Sequence, residues 1–360
     1  MHFIRRLIKL TLACSVYYSG FLAYRTRREQ KNRPEKKFKI LTYHLILEDA
    51  DKKKADTQPG MCVTRNSFSR QMTFLQKRYS PIKLNELVSK LTNDEQLPDR
   101  SVAVTFDDGW IDNLTVAFPI LERLNLPATI FLPTDMINSG EIPVFIHASL
   151  LLGEKDNLIN KAVQSFKEMV VEDDLATNQP AFAEAKLDAC KNNAFNFMVT
   201  FMKLEIPQME KLFNRMLQLS GIAPDKWYAQ RWLINWDEVR QMNCSVIDFG
   251  SHGRTHELMT EISLEQVERE LIESKQIIEK ELGEPVTIFS YPNGNCNEAI
   301  KKLVQKCDYS GAVTQTGCVD GGSTLDRYAL KRINLNEGAT LGPLGNFSKT
   351  IFACLLEGFF

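Results

Sequence analysis

The stretch Ser101-Val102-Ala103-Val104-Thr105-Phe106-Asp107-Asp108-Gly109 decides how this 360-residue chain reads. Within it Val102 to Phe106, five uncharged and largely β-branched or apolar residues, make the pattern of a strand. The two carboxylates and the glycine that follow set acidic groups where the backbone leaves the sheet. Asp-Asp-Gly alone is an ordinary turn, so its weight comes from its surroundings. Outward from it, short β-rich runs recur at residues 38–43, 128–132, 246–249, 286–290, 311–314 and 330–335, most of them followed by a stretch with helical period. Residues 68–78 put Phe68, Met72 and Leu75 on one face. Residues 263–282 open with Ser263 and Gln266 at capping-box spacing and repeat Leu264, Val267, Leu271 and Ile278 along one stripe. This alternation predicts an α/β fold with a parallel sheet and crossover helices. About seven such units predict a (β/α)7-type distorted barrel over residues 38–360, one unit short of the standard eight. From 142 to 230 the alternation stops and the composition turns helical and charged, as in 158–171 and 182–219. This reads as a helical insertion, serving either a substrate groove or extra packing.

Active sites on such barrels gather at the C-terminal ends of the strands. Asp107 and Asp108 fall at one such end, and Ser251-His252-Gly253-Arg254-Thr255-His256 falls at another. Two His four residues apart can turn both imidazoles to one point on a turn of helix. Two of the chain's five His and its sole Asp-Asp-Gly are thus both predicted at strand ends. The other acidic pair, Asp173-Asp174, lies in the charged insertion and reads as solvated. Two imidazoles and one carboxylate make a three-ligand set that leaves coordination open for water and substrate, which is the catalytic arrangement; the second carboxylate is free to act as a base. Zinc is the default divalent ion for such donors, although cobalt, nickel and manganese also accept them.

The formal net charge is −1, but residues 1–37 carry ten Lys or Arg against Glu29 and Glu35, which leaves the remainder at −9. A nucleic-acid-binding domain carries its basic surface on the fold itself, so no nucleic-acid partner is expected. A membrane surface suits the basic tail better. Leu7 to Tyr24 is apolar apart from Lys9, just long enough to span a bilayer, and Arg25, Arg27 and Arg28 follow without a clean small-x-small cleavage site. Residues 1–37 therefore read as a membrane anchor or signal segment, and the chain is expected to be membrane-anchored, either extracytoplasmic or in the cell envelope. Basic flanks on both sides of the apolar run would, by the positive-inside rule, favour a cytoplasmic C-terminus. The eight cysteines contain no CxxC pair, so they read as buried thiols, with a disulfide among Cys296, Cys307 and Cys318 open in an oxidising compartment. His147 and His2 match no motif and read as structural or solvated. Trp227, Trp232 and Trp236 read as core packing, with sugar stacking as the functional alternative. Residues 351–356 read as a terminal helix covering the barrel.

Taken together, these motifs resemble those of the polysaccharide deacetylases, the NodB-like family of carbohydrate esterases. Thr105-Phe106-Asp107-Asp108-Gly109 resembles the family's first motif and Ser251-His252-Gly253-Arg254-Thr255-His256 its second. Leu41-Thr42-Tyr43-His44 is similar to the opening strand of many members, and Phe289-Ser290-Tyr291-Pro292-Asn293-Gly294 to the third motif of one branch. The resemblance implies a hydrolase that removes acetyl groups from an N-acetylglucosamine-containing glycan. Asp108, His252 and His256 would hold the metal and Asp107 would be the general base. Tyr291, Pro292 and Arg332 are counted with the substrate and oxyanion contacts, a backbone N–H near Tyr291 serving as a donor. Many members supply the leaving amine's proton from a late His. None follows His256, and barrel closure brings His44 to the same rim, so His44 is the expected acid. Two positions depart from the pattern: Ser290 stands where an Arg often pairs with the base, and Gly253 where Ser or Thr is common. Arg332 reads as a surface or structural residue, or as a source of the missing charge from another direction. The competing classes are a glycan-binding protein that keeps the fold without turnover and a metal-dependent amidase on small N-acyl compounds.

Overall fold

The computed structural model describes residues 2–32, 38–50, 60–154, 157–173, 182–243, 246–315 and 325–360. Eight strands form one parallel path: β1 Phe38–Tyr43, β2 Ser101–Phe106, β3 Ala128–Leu132, β4 Ile247–Ser251, β5 Ile288–Ser290, β6 Gly311–Thr314, β7 Leu330–Lys331 and β8 Ile333–Asn334. Their spatial order is β7-β6-β5-β4-β3-β2-β1-β8, and Ser80–Pro81 pairs with the start of β2 off this path. The two ends of the path are successive pieces of one segment: β7 pairs with β6, β8 pairs with β1, and Arg332 sits between them. A sheet whose first and last strands share one segment is a nearly closed barrel, built here from seven chain segments. The run read as 330–335 is broken because its hydrogen bonds change sides. The Arg332 N–H still goes to Thr314 O, whereas the Leu335 N–H goes to Thr42 O.

Side chains alternate across this wall. Phe38, Ile40, Ala103, Phe131, Ile288, Val313 and Leu330 form one cluster with Ile82, Leu84, Leu87 and Val88, so helix Leu84–Thr92 plugs the N-terminal end of the barrel. Leu41, Tyr43, Val104, Phe106, Ile130, Leu132, Phe249 and Phe289 belong to the larger cluster between the wall and the helices. Burial on both faces explains why the strands read as continuous apolar runs. Gly250 is required here, because a Cβ would lie 2.5 Å from the Phe131 ring.

Helix Arg65–Arg78 is N-capped by Thr64 and buries Phe68, Met72 and Leu75. Helix Leu264–Leu282 begins with the capping box of Ser263 and Gln266 and ends at Gly283 in the left-handed conformation. It buries Val267, Leu271 and Ile278, but Leu264, in its first turn, is exposed. Between β3 and β4 lie the helices Val144–Glu154, Leu158–Glu172, Glu184–Asp188, Ala194–Phe201, Ile206–Ser220 and Pro224–Tyr228. Phe166, Phe182, Phe197 and Phe201 pack in their core in tilted and edge-to-face contacts. Trp227 is fully buried and donates its indole N–H to His147 Nδ1 at 3.1 Å, so this ring is core, whereas Trp232 and Trp236 are half-buried.

Leu7 to Tyr24 does not form one continuous helix. Helices His2–Tyr18 and Phe21–Asn32 meet at a 70° bend at Ser19-Gly20, where Gly20 has φ +79°. Among the described residues no single helix is long and apolar enough to cross a membrane, although the bent pair passes by length and composition. Helix Lys349–Leu356 lies between this pair and the barrel's helix Arg65–Arg78. Cys14, Cys190, Cys307 and Cys354 are free thiols, whereas Cys296 is disulfide-bonded. Cys244, Cys318 and Asp174 lie outside the described residues.

Candidate active site

The chain leaves β2 through an abrupt turn. Asp107 still donates its N–H to Tyr43 O, continuing the ladder, and then Asp108 and Gly109 adopt φ of +73° and +70°. Asp tolerates that region better than most residues. Gly109 is needed there, since a Cβ would lie 2.9 Å from Leu132. The turn points both carboxylates into the C-terminal mouth of the barrel, where both are buried.

The second motif is a loop after β4, not the helical turn expected from its spacing. Gly253 (φ +81°) and His256 (φ +65°) reverse the chain, and the buried carboxylate of Glu270 gathers the loop's donors. Glu270 Oε2 accepts the N–H groups of Arg254 and Thr255 at 2.6 and 2.9 Å, and Oε1 accepts Thr255 Oγ1 at 2.9 Å. The result brings both imidazoles to one point, with ring centroids 4.8 Å apart. His252 Nε2 and His256 Nε2 lie 3.5 and 3.3 Å from Asp108 Oδ1.

One ligating atom from each of Asp108, His252 and His256 falls within 4.8 Å of the others. The remaining atoms of two of these groups are already committed. His252 Nδ1 donates to Ser290 O at 2.8 Å, which frees Nε2 as a lone-pair donor, and Asp108 Oδ2 accepts the Trp110 indole N–H at 3.0 Å. This is the second layer of contacts that orients metal ligands, so the residues present fit a divalent ion. Burial pushes His252 down to about 4, so it is neutral near pH 7, as a ligand must be. Burial opposes ionisation of Asp108, but the His256 hydrogen bond and the nearby imidazoles outweigh it and hold the carboxyl well below its usual range. For His256, burial opposes protonation, and the partnership with Asp108 outweighs it in the other direction.

Asp107 makes a different set of contacts. Arg332 grips it with two bonds of 2.7 Å, Nη1 to Oδ1 and Nη2 to Oδ2, while its other donor positions reach Thr105 Oγ1 at 3.2 Å and Ser290 Oγ at 3.0 Å. The Ser290 hydroxyl is also 3.4 Å from Asp107 Oδ1. The surface reading of Arg332 is therefore corrected, as is its grouping with substrate contacts: it is fully buried and faces the carboxylate. Burial works against the charge on Asp107, but Arg332, His252 and His44 outweigh it and keep its pKa below the ordinary value. His44 Nε2 lies 3.8 Å from Asp107 Oδ2, and its buried Nδ1 has no hydrogen-bond partner among the described residues.

Tyr291 also departs from expectation. Its N–H is spent on Val313 O at 3.2 Å and its hydroxyl on Tyr328 O at 2.9 Å, because it continues the ladder beyond β5. It offers no free backbone donor to an oxyanion. Pro292 has no N–H and opens the buried turn Pro292–Gly294. Sequence reasoning missed Trp110 and Glu270. Glu270 had a readable signal, an acid on the stripe of Val267, Leu271, Ser274 and Ile278 where an apolar residue belongs.

The fold matches known proteins. The family model described as polysaccharide deacetylase matches residues 94–178 and 180–312. The chain belongs to the polysaccharide deacetylase family. Members of this family are hydrolases acting on N-acetyl amide bonds of glycans. The Bacillus subtilis (strain 168) protein YxkH, which carries the polysaccharide deacetylase name, is 20% identical over 317 residues, covering 88% of this chain and 77% of that protein. The poly-beta-1,6-N-acetyl-D-glucosamine N-deacetylase of Escherichia coli (strain K12) is 27% identical over 126 residues, which is 34% of this chain and 18% of that protein. Among solved structures, the Streptococcus pyogenes deacetylase PplD in complex with acetate superposes with a TM-score of 0.53 at 17% identity, covering 86% of this chain and 95% of that one. A polysaccharide deacetylase from Bacillus cereus gives 0.51 at 17% identity, covering 89% and 68%. The family match of this deacetylase includes both aspartates and both His but ends before Arg332 and begins after His44. The two groups that flank Asp107 therefore come from outside it.

Proposed function

We propose that this deacetylase removes acetyl groups from an N-acetylglucosamine-containing polysaccharide at a site where Asp108, His252 and His256 hold a divalent ion, zinc by default. The observation that carries the reading is the placing of Asp107, buried and ionised against Arg332, at the edge of a three-donor cluster. A glycan-binding protein has no use for a base beside its metal ligands. Ser290 stands where an Arg often pairs with the base, and here Arg332 makes that pair instead.

When bound, the ion supplies a Lewis acid that lowers the pKa of a water and polarises the acetyl carbonyl. Asp107 accepts the proton of the attacking water, and Arg332 with Ser290 keeps its carboxylate ionised and oriented for that transfer. His44, across the same carboxylate, delivers a proton to the leaving nitrogen as the carbon–nitrogen bond breaks, giving acetate and a free amine. The partial likeness to an N-deacetylase of poly-N-acetylglucosamine supports that substrate class. The apolar and basic N-terminal helices support a membrane partner, with the enzyme working in the cell envelope.

The test is acetate release from N-acetylglucosamine oligomers by residues 1–360 with added zinc, beside Asp107→Asn, His252→Ala and His44→Gln. Release by the parent and its loss in the first two variants support the reading. Stoichiometric metal binding without release would turn it towards a binding protein, and release from small N-acyl compounds alone towards an amidase.

A further inference from the structure

The N-terminal helices have two apolar faces with different occupants. One face is covered by the protein: Leu10, Ala13, Val16, Tyr17 and Leu22 pack with Ile351, Ala353, Cys354 and Phe359. Polar contacts pin it at both ends, Lys9 Nζ to Ala339 O at 3.0 Å and Arg25 Nη2 to Gly358 O at 3.3 Å. The other face is uncovered. Phe3, Ile4, Leu7, Ile8 and Leu12 are between 44% and 61% exposed, and Tyr18, Phe21 and Tyr24 continue the patch around the bend. Contiguous apolar exposure of this kind marks an interaction surface.

We infer that residues 2–28 are an in-plane anchor, lying along an anionic lipid surface while staying docked on the terminal helix of the barrel. This rests on the membrane reading above and deepens it. A helix that crosses a bilayer is surrounded by hydrocarbon on all sides, so spanning requires stripping the docked face from Ile351, Ala353 and Cys354 and straightening a 70° bend. An amphipathic helix in the interface needs neither change. Charge selects the occupant. Arg5, Arg27 and Arg28 are exposed beside the apolar stripe, and residues 1–37 hold ten basic groups against two acidic ones, while the remainder carries −9. Anionic headgroups attract the helices and repel the barrel, which orients the molecule; a second copy bringing the same basic face would be repelled.

The experiment is co-sedimentation of residues 1–360 with phosphatidylglycerol vesicles and with phosphatidylcholine vesicles, followed by an alkaline carbonate wash. The double variant Leu7→Glu, Ile8→Glu is run in parallel, its melting checked against the parent. The inference expects pelleting that favours phosphatidylglycerol, release by carbonate, and at least a tenfold lower partition coefficient for the variant with unchanged melting. If the double variant misfolds, Phe3→Ser with Leu12→Ser tests the same face. Binding that resists carbonate means a spanning helix, which overturns the in-plane anchor and leaves the membrane reading standing. No pelleting in either lipid, with or without self-association of the chain, overturns both.

Discussion

Replacing Arg332 with Met should cost this deacetylase both stability and its base. The guanidinium holds Asp107 through two 2.7 Å bonds, with side chains 0% and 2% exposed, so neither charge has water to fall back on. Removing one partner of such a pair costs about 3–5 kcal/mol, because the remaining charge stays buried. At about 2 °C per kcal/mol for a chain of this size, melting should fall by roughly 6–10 °C. The sign of the pH dependence follows from the direction of the shift. A carboxylate whose folded pKa is depressed contributes stability above its unfolded value, about 3.9, and loses it as pH falls through the folded value. The unfolded value is common to both proteins and cancels, so the gap between parent and Arg332→Met should be widest at high pH and narrow as pH falls from the variant's raised Asp107 pKa towards the parent's depressed one. Without Arg332, burial becomes the dominant influence on Asp107 and pushes its pKa up, so the base is protonated near neutrality. A loss of about 10²-fold or more in kcat/KM should follow. Since Ser290 Oγ is already 3.4 Å from Asp107, Ser290→Arg combined with Arg332→Ser should return part of both losses. Melting curves from pH 3 to 8, with acetate-release kinetics at neutral pH, decide the matter. Melting within 1 °C of the parent and kcat/KM within about twofold would refute the reasoning, for such small changes belong to surface pairs.

Other outcomes follow from single contacts. Glu270→Ala releases three donors from the loop between His252 and His256 and should weaken metal binding about 10- to 100-fold, read by chelator competition; an unchanged affinity would show that the loop holds itself. Burial pushes His147 down to about 4, so its neutral form contributes stability that is full above the unfolded pKa of about 6.5 and is lost as pH falls towards 4. After discounting for partial exposure, the parent's advantage over His147→Gln should shrink by about 1–2 kcal/mol between pH 7 and 4.5, measured by urea unfolding; a difference flat with pH counts against it. Gly250→Ala places a methyl 2.5 Å from the Phe131 ring and should cost about 1–3 kcal/mol, seen as a lower urea midpoint. No shift there would mean that the barrel interior yields.

What the sequence determined by itself is local, or repeats at short range. Strands buried on both faces announced themselves as unbroken apolar runs, and Ser263 with Gln266 announced the start of a helix. The two aspartates and two His could be marked as candidates because each motif sits within a few residues of a strand end, whereas their division into ligands and base is what the family resemblance implies. Tertiary structure decided whatever depends on closure. Arg332 meets Asp107 across 225 positions because β7 and β8 bind opposite ends of the sheet, and no local pattern distinguishes that Arg from a surface one. Pairing of β1 with β2 set His44 beside Asp107, pairing of β5 with β6 spent the Tyr291 N–H on Val313 O, and packing on the terminal helix divided the apolar N-terminal run between a docked face and an open one. Periodicity reports which side of an element is apolar. What covers that side depends on how distant segments pack, which is a property of the folded chain.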